Sequence, residues 1–447
     1  MISEAALRVL YRLLHAGYEA YLVGGGVRDL LLGREPKDFD VATNARPEQV
    51  RELFRNCRLV GRRFLLAHIQ FGHDIVEVAT FRASHDLAGK GEEGVMDEGR
   101  ILRDNVYGST IEQDAWRRDF TVNALYYNPR DFSVIAFGSG LDDLRSGVLR
   151  LVGEPTNRYR EDPVRMLRAA RFAAKLGFHI APETEAPLLH QRHLLREVPP
   201  ARLFDEALKL FMGGHALETF TLLRYYGLFG ELFPLTEATL ADTKNPRALA
   251  LLEHALKNTD ARVIADKPVA PAFLFAALLW EPVYQEIRRH PKMPFQESLR
   301  LAADRILQDQ VDHVAVPRRH TLQVREIWAL QGRLAQLRSK RHTLLLDHPR
   351  FRAAYDFLLL RAASGEDVQD IADHWTHLQE EAAAEGPSHS KHPVTTDTED
   401  SASDEVDTAA DTADLTPDTS PDEEIAPSPR SKPRRRRYKL ARRKTSS

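Results

Sequence analysis

The chain has 447 residues, enough for two to four domains around a sizeable core, and its formal net charge of −3 singles out no partner by itself. One cysteine, Cys57, excludes an intramolecular disulfide and suits a reducing compartment. No apolar stretch reaches the length of a membrane span and the first residues do not read as a secretory leader, so the composition predicts a cytoplasmic protein with no membrane partner.

The first element is a helix from Ser3 to His15, patterned by Ala6, Leu10, Leu13 and Leu14 and stopped by Gly17. A strand over 19–23 then runs into Gly24, Gly25 and Gly26, followed by a short helix opening with Val27-Arg28-Asp29 and a second strand carrying Asp38 and Asp40. Glycines let backbone N–H groups approach a phosphate closely, and a helix N-terminus with Arg28 adds positive potential there. Strand alternation puts Asp38 and Asp40 on one face and Phe39 on the other. Two carboxylates opposite a triphosphate cradle can hold paired Mg²⁺ ions for an in-line displacement at phosphorus. The commoner nucleotide motifs are absent: no G-x-G-x-x-G opens a long helix, and no Gly-Lys-Ser/Thr follows the glycines.

Further strands are expected over 66–71, 75–81 and 134–137, with helices after Gly26 and after Pro47, so the text is mixed α/β to about residue 150. His73-Asp74 and His85-Asp86 look like the doublets of a metal phosphohydrolase, but no further spaced histidines accompany them and that reading is set aside. The segment 112–128 brings Arg117, Arg118 and Asp119 together with Phe120-Thr121-Val122-Asn123. Arg118 and Asn123 can clamp a triphosphate or sugar, and Asp119 can serve as a third acid of the site. Glu77, on the strand Ile75-Val76-Glu77-Val78-Ala79, competes for that role and is placed second.

In the segment 158–178, Asp162 fits a helix N-cap, Pro163 the first helical position and Gly177 the stop. Arg165, Arg168, Arg171 and Lys175 fall on one face, and Val164, Leu167, Ala170 and Ala174 on another. A carboxylate accepting from an exocyclic amine beside a donating guanidinium reads a base edge, which makes Glu161, Asp162, Arg165 and Arg168 candidates for the base. One Asp–Arg pair satisfies both adenine and cytosine, so the motif separates ATP and CTP from GTP and UTP but not from each other.

Helical periodicity continues from Asp162 through about residue 383. Leu203, Phe204, Ala207, Leu208 and Phe211 form one apolar stripe ended by Gly213-Gly214, and His215 to Tyr226 form the next helix. Past Gly386 apolar content collapses: a dozen acids without Lys or Arg lie over 397–424, and a run from Arg430 to Lys444 is strongly basic. Such text cannot bury enough surface to offset its ordering entropy, so residues 386–447 are expected to be a disordered, acidic-then-basic tail. The basic end would bind phosphates in a salt-dependent way.

The blocks Gly24-Gly25-Gly26-Val27-Arg28-Asp29, Asp38-Phe39-Asp40, Arg117 to Ala124 and Glu161 to Arg168 together resemble the class II nucleotidyltransferases, the family of bacterial poly(A) polymerases and tRNA CCA-adding enzymes. Leu59 to Ile69, including Gly61-Arg62-Arg63-Phe64, looks more like the polymerases of Gram-negative bacteria, and the resemblance extends over about residues 3–380. The acidic stretch departs from the family pattern. The resemblance implies an α/β nucleotidyltransferase head with a mixed sheet (1–150), an all-α neck that selects the base (151–200) and an all-α RNA-binding body (201–385). It implies template-independent addition of AMP from ATP to RNA 3′ ends, releasing pyrophosphate, in bacterial RNA processing and decay. Asp38 and Asp40 would bind two Mg²⁺ with Asp119 assisting, and Gly24, Gly25, Gly26 and Arg28 would hold the triphosphate. Arg318, Arg319, Arg325 and Arg333 would meet RNA phosphates. RNA-decay factors are the expected further partners of a monomer. A CCA-adding enzyme is the nearest alternative, and a catalytically inert RNA-binding scaffold the alternative of another class.

Overall fold

The computed structural model describes residues 2–61, 64–83, 94–97, 100–104, 106–337 and 342–384, all within one compact unit, Met1–Gly386. The expectations for Arg62, Arg63, His85, Asp86 and the tail lie outside the described residues.

The head is built on β1 (Ala20–Val23), β2 (Asp40–Thr43), β3 (Cys57–Val60), β4 (Leu66–Phe71) and β5 (Asp74–Thr80), followed by a hairpin of β6 (Gly94–Asp97) and β7 (Arg100–Asp104), and by β8 (Leu125–Tyr127) and β9 (Val134–Ala136). Seven of these form a mixed sheet in the order β3-β4-β5-β2-β1-β8-β9. Only β2 and β5 run parallel within it, with Asp40 opposite Glu77 and Val41 opposite Val78. The first helix, α1 (Glu4–His15), starts as expected: the Ser3 hydroxyl accepts from the Ala6 amide at 3.2 Å. Its Val9, Leu10 and Leu13 share a core with Leu22, Val41, Ile69, Val76 and Val78. Strand alternation therefore turns Asp40 and Glu77 to the other face, where Val23, Ala42, Phe81 and Tyr126 form a separate small cluster.

The helices α2 (Gly25–Leu31) and α3 (Pro47–Leu53) join the first core through Val27 and Val50, whereas α4 (Ile111–Arg117) packs on this second face through Ile111 and Ala115. Next come α5 (Gly140–Ser146), the short parallel pair β10 (Val148–Leu149) and β11 (His179–Ile180), α6 (Pro155–Glu161), α7 (Val164–Leu176) and α8 (Pro182–Gln191). The helix expected after Asp162 forms as α7, and a further helix, α6, precedes it across a break at Asp162-Pro163. Asp162 ends α6, and its side chain turns to Arg202 rather than capping α7. Gly177 closes α7 as expected, in the left-handed conformation at φ 72°.

The remainder is helical: α9 (Pro200–Phe211), α10 (Ala216–Tyr225), α11 (Leu228–Leu232), α12 (Pro234–Leu240), α13 (Pro246–Ile264), α14 (Pro271–Leu278), α15 (Trp280–Arg288), α16 (Phe295–Val311), α17 (Arg318–Leu334), α18 (Phe351–Ala363) and α19 (Gln369–Ala384). Phe204, Phe211, Phe229, Phe233 and Phe275 pack into the same continuous core as the head. A smaller cluster around Leu334, Phe351, Tyr355 and Trp375 seats α19. Among the described residues no helix is long and apolar enough to cross a membrane.

Candidate active site

Gly24 leaves β1 at φ 75°, ψ −133°, a conformation open only to glycine, and this bends the chain sharply into α2. A Cβ here would stand 3.6 Å from Nη1 of Arg118 and 4.0 Å from Oδ2 of Asp40. The turn thus lies directly between a cation and a carboxylate. Gly26 is needed for a different reason. A Cβ there would stand 3.2 Å from the Asp38 carbonyl and 3.3 Å from the Phe39 ring, so α2 packs tightly on the approach to β2.

Asp40 opens β2, while Asp38 lies just before the strand instead of within it. Register pairs Asp40 with Glu77 on β5, and Glu77 with His68 on β4, whose Nε2 is 3.3 Å from Glu77 Oε1. Burial, then the negative charge of Glu77, push the Asp40 carboxyl up to about 6, with Asp38 adding to the rise and Arg118 opposing it. Glu77 is raised as well, by burial and by Asp38. Crowded carboxylates with excess negative charge and hard oxygen donors fit a divalent magnesium ion. Among the described residues no three His, Cys, Asp or Glu side chains close into a cage. A cation here would therefore rest on two carboxylates and complete its shell with phosphate oxygens and water.

Asp119 does not belong to this group. It receives Arg165 Nε at 3.0 Å and a second ion pair from Arg168 Nη1. Burial would raise its pKa, but the two guanidiniums prevail and hold it far below the usual carboxylate range. The preference for Asp119 over Glu77 as the acid beside Asp40 is thus reversed in the geometry, because the backbone leaving α4 turns Asp119 toward α7.

Arg118 occupies the position opposite the carboxylates. Its Nε and Nη2 donate to Asp114 Oδ2 at 3.0 and 2.8 Å, Nε also donates to the Tyr126 hydroxyl at 2.8 Å, and Nη1 faces Gly24. Asp114 and Tyr126 were not singled out from the sequence. The four-residue spacing of Asp114 and Arg118 on a helical segment was the available signal. Asn123 does not reach toward the same space through its carbonyl, because Oδ1 accepts Arg28 Nη1 at 2.6 Å. Arg28 itself is buried. It donates from Nε to Asp29 Oδ1 at 2.8 Å and lies 5.6 Å from the Phe172 ring centroid. Its charge sits beneath the glycine turn, where Nη2 is 3.5 Å from the Cβ position of Gly25, rather than projecting into the cleft.

Glu161, Arg165 and Arg168 are tied together behind Arg118 through Asp119, while Asp162 turns to α9. Glu161 Oε2 accepts Arg158 Nη1 at 2.6 Å and Arg165 Nη1 at 3.1 Å. Arg165 is 4 % exposed and also donates to the Arg158 carbonyl at 2.7 Å. Arg158 donates to the backbone carbonyls of Arg117 and Arg118 at 3.1 and 2.7 Å, locking α6 to the residues that follow α4. Burial and the neighbouring Arg165 lower Arg158 to about 10. Asp162 Oδ2 accepts Arg202 Nη2 of α9 at 2.8 Å. The Arg168 side chain is 32 % exposed, so of the two arginines on Asp119 it is the one at the rim. The basic face of α7 is half internal, with Arg165 buried and Lys175 exposed. In α17, Arg318, Arg319 and Arg333 are exposed, while Arg325 is engaged with Asp304 at 2.5 Å.

Comparison with known proteins bears on this geometry. Residues 20–150 match the family described as poly A polymerase head domain, 177–240 the probable RNA and SrmB-binding site of polymerase A, and 291–443 the polymerase A arginine-rich C-terminus. The chain is 51 % identical over 385 residues to poly(A) polymerase I of Escherichia coli, covering 85 % of this chain and 83 % of the relative. It is 50 % identical over 393 residues to poly(A) polymerase I of Salmonella typhimurium, covering 86 % and 84 %. Among solved structures, a CCA-adding enzyme of Bacillus stearothermophilus in complex with CTP matches with a TM-score of 0.55 and 27 % identity, over 85 % of this chain and 82 % of that one.

Proposed function

The chain belongs to the bacterial poly(A) polymerase family of nucleotidyltransferases, and from that premise we propose that it adds AMP from ATP to RNA 3′ ends without a template. The observation that carries the reading is the glycine turn at Gly24, with Arg118 on one side and Asp40, beside Asp38 and Glu77, on the other. A triphosphate laid on that turn meets backbone N–H groups and a guanidinium, and its α-phosphorus faces the carboxylates.

In the reaction the RNA 3′ oxygen bonds to the α-phosphorus, the bond to the bridging oxygen breaks, and pyrophosphate leaves while the hydroxyl proton passes to solvent. Asp38 and Asp40 would hold Mg²⁺, which when bound makes the hydroxyl more acidic and offsets phosphate charge. Glu77, steadied by His68, adds a third negative charge beside them. Gly24, Gly25 and Gly26 admit the triphosphate, with Arg28 supplying field from beneath and Asn123 fixing Arg28. Arg168, at the rim of the neck, would meet the base, with Glu161, Asp162 and Arg165 holding the wall behind it. RNA upstream of its 3′ end would run along the body, where residues 177–240 match a segment described as RNA-binding and Arg318, Arg319 and Arg333 are exposed. The same description names SrmB beside RNA, which supports a protein partner, and a cytoplasmic role in RNA decay is part of this proposal.

A CCA-adding activity is the second reading, favoured by the structural likeness to an enzyme in complex with CTP. Primer extension distinguishes the two. Long ladders on oligo(A) with ATP alone support the polymerase. A three-nucleotide extension confined to tRNA and requiring CTP would establish the second reading instead.

A further inference from the structure

Arg118 has three freely rotating bonds beyond Cβ, yet the structure gives its guanidinium one orientation. Asp114 takes Nε and Nη2 through a single oxygen, and the Tyr126 hydroxyl takes Nε at 2.8 Å. That hydroxyl donates its own proton to Asp114 Oδ2 at 2.7 Å, so its lone pair is the part left for Arg118. The guanidinium carbon also lies 5.1 Å from the Tyr126 ring centroid. Both holding groups are internal, Asp114 at 1 % and Tyr126 at 0 % exposure, and neither faces the cleft.

The holders are themselves fixed. Asp114 Oδ1 accepts the Arg82 backbone N–H at 3.2 Å, and the edges of Tyr21 and Phe137 meet the Tyr126 ring at 6.3 and 6.1 Å between centroids. Asp114 comes from α4, Tyr126 from β8 and Arg82 from the residues just after β5, so three separate elements converge on one cation. What remains pointing outward is Nη1, over Gly24.

We propose that Asp114 and Tyr126 are positioning residues which aim Arg118 at the outer phosphates, and that this set of three makes the site prefer a nucleoside triphosphate to a monophosphate. The proposal rests on the reading of the site given above. A flexible arginine would lose side-chain freedom on binding the nucleotide, whereas one held in place beforehand has already lost it. A pair whose only role was to neutralise buried charge would affect folding, and would affect both nucleotides alike.

The test is isothermal titration of the purified full chain with ATP and with AMP, in Mg²⁺ and without RNA, for wild type, Tyr126→Phe, Asp114→Asn and Arg118→Lys. Tyr126→Phe keeps the ring and its packing, so it reports even if Asp114→Asn unfolds. The expected result is that Tyr126→Phe weakens ATP about tenfold and AMP less than twofold, the scale of one lost charge-assisted hydrogen bond. Tyr126→Phe combined with Arg118→Lys should be no worse than Arg118→Lys alone. Equal losses for ATP and AMP, or no loss in Tyr126→Phe, would overturn the proposal. If Arg118→Lys itself leaves the ATP-to-AMP ratio unchanged, the assignment of Arg118 to the triphosphate falls. If Arg118→Lys collapses the ratio while Tyr126→Phe preserves it, only the positioning proposal falls.

Discussion

Glu77 stands directly across the parallel pair β2–β5 from Asp40, and with burial its charge lifts the Asp40 carboxyl to about 6. Because the folded state holds the Asp40 proton more tightly than the unfolded chain does, this group favours folding fully below about pH 4. That contribution is lost as the pH rises through about 6, so ionised Asp40 destabilises the metal-free protein at neutral pH, on the order of 3 kcal/mol. Asp40→Asn should therefore raise the Tm at pH 7.5 in EDTA and leave it unchanged near pH 4. Mg²⁺ should stabilise the wild type and not the variant. Thermal melts at the two pH values check the sign.

Glu77 and Asp119 should behave oppositely when neutralised. Glu77→Gln relieves crowding among the carboxylates and should keep or raise Tm while lowering kcat at least tenfold, an effect of roughly 1.4 kcal/mol or more. Asp119→Asn takes one of the two carboxylates from buried Arg165, leaving it Glu161 alone, and should cost about 3 kcal/mol of stability. With its pKa held below the usual range, Asp119 stabilises the fold above about pH 4 and loses that contribution as the pH falls toward its own value. Denaturant melts set beside single-turnover rates for each variant separate the two behaviours.

Gly24→Ala forces an alanine into φ 75°, ψ −133° and should cost about 1–3 kcal/mol of stability. Its methyl group meets Arg118 and Asp40 only at ordinary contact distances, so the protein should still fold. The turn would be narrower, and the KM for ATP should rise more than kcat falls. Steady-state kinetics on an oligo(A) primer measure that split.

Arg168→Ala and Arg165→Ala should differ in kind. Arg168 is at the rim, and its loss should narrow the preference for ATP over other nucleotides about tenfold, with a fall in Tm smaller than for Arg165→Ala because Asp119 keeps Arg165. Arg165 is buried against Asp119 and Glu161, and its loss should lower Tm as well. Misincorporation assays paired with melts check both.

The glycine turn and the helical body were legible because each rests on local chemistry, a conformation open only to glycine and a 3.6-residue period, whereas strand alternation does not reach Asp38, which precedes β2. The strands β3 and β8 were not legible, since Cys57–Val60 and Leu125–Tyr127 are three or four residues long and form by pairing with β4 and with β1 and β9. The partner of Asp40 could not be read either. It depends on which strand lies beside β2, and the parallel pairing with β5 is a long-range fact. The same holds for Asp119 and Arg28, whose neighbours Arg165, Arg168 and Asn123 are distant in the chain. Local reading supplied the residue types of the site, and tertiary pairing decided which of them face the cleft.

The most direct test is single-turnover AMP addition to an oligo(A) primer with ATP and Mg²⁺, comparing wild type with Asp38→Asn and Asp40→Asn after circular dichroism confirms that both fold. Loss of AMP addition by about a thousandfold or more in each variant, with the fold retained, is the predicted result. Addition by Asp40→Asn at a rate near wild type would contradict the account, because the reacting centre would then lie elsewhere.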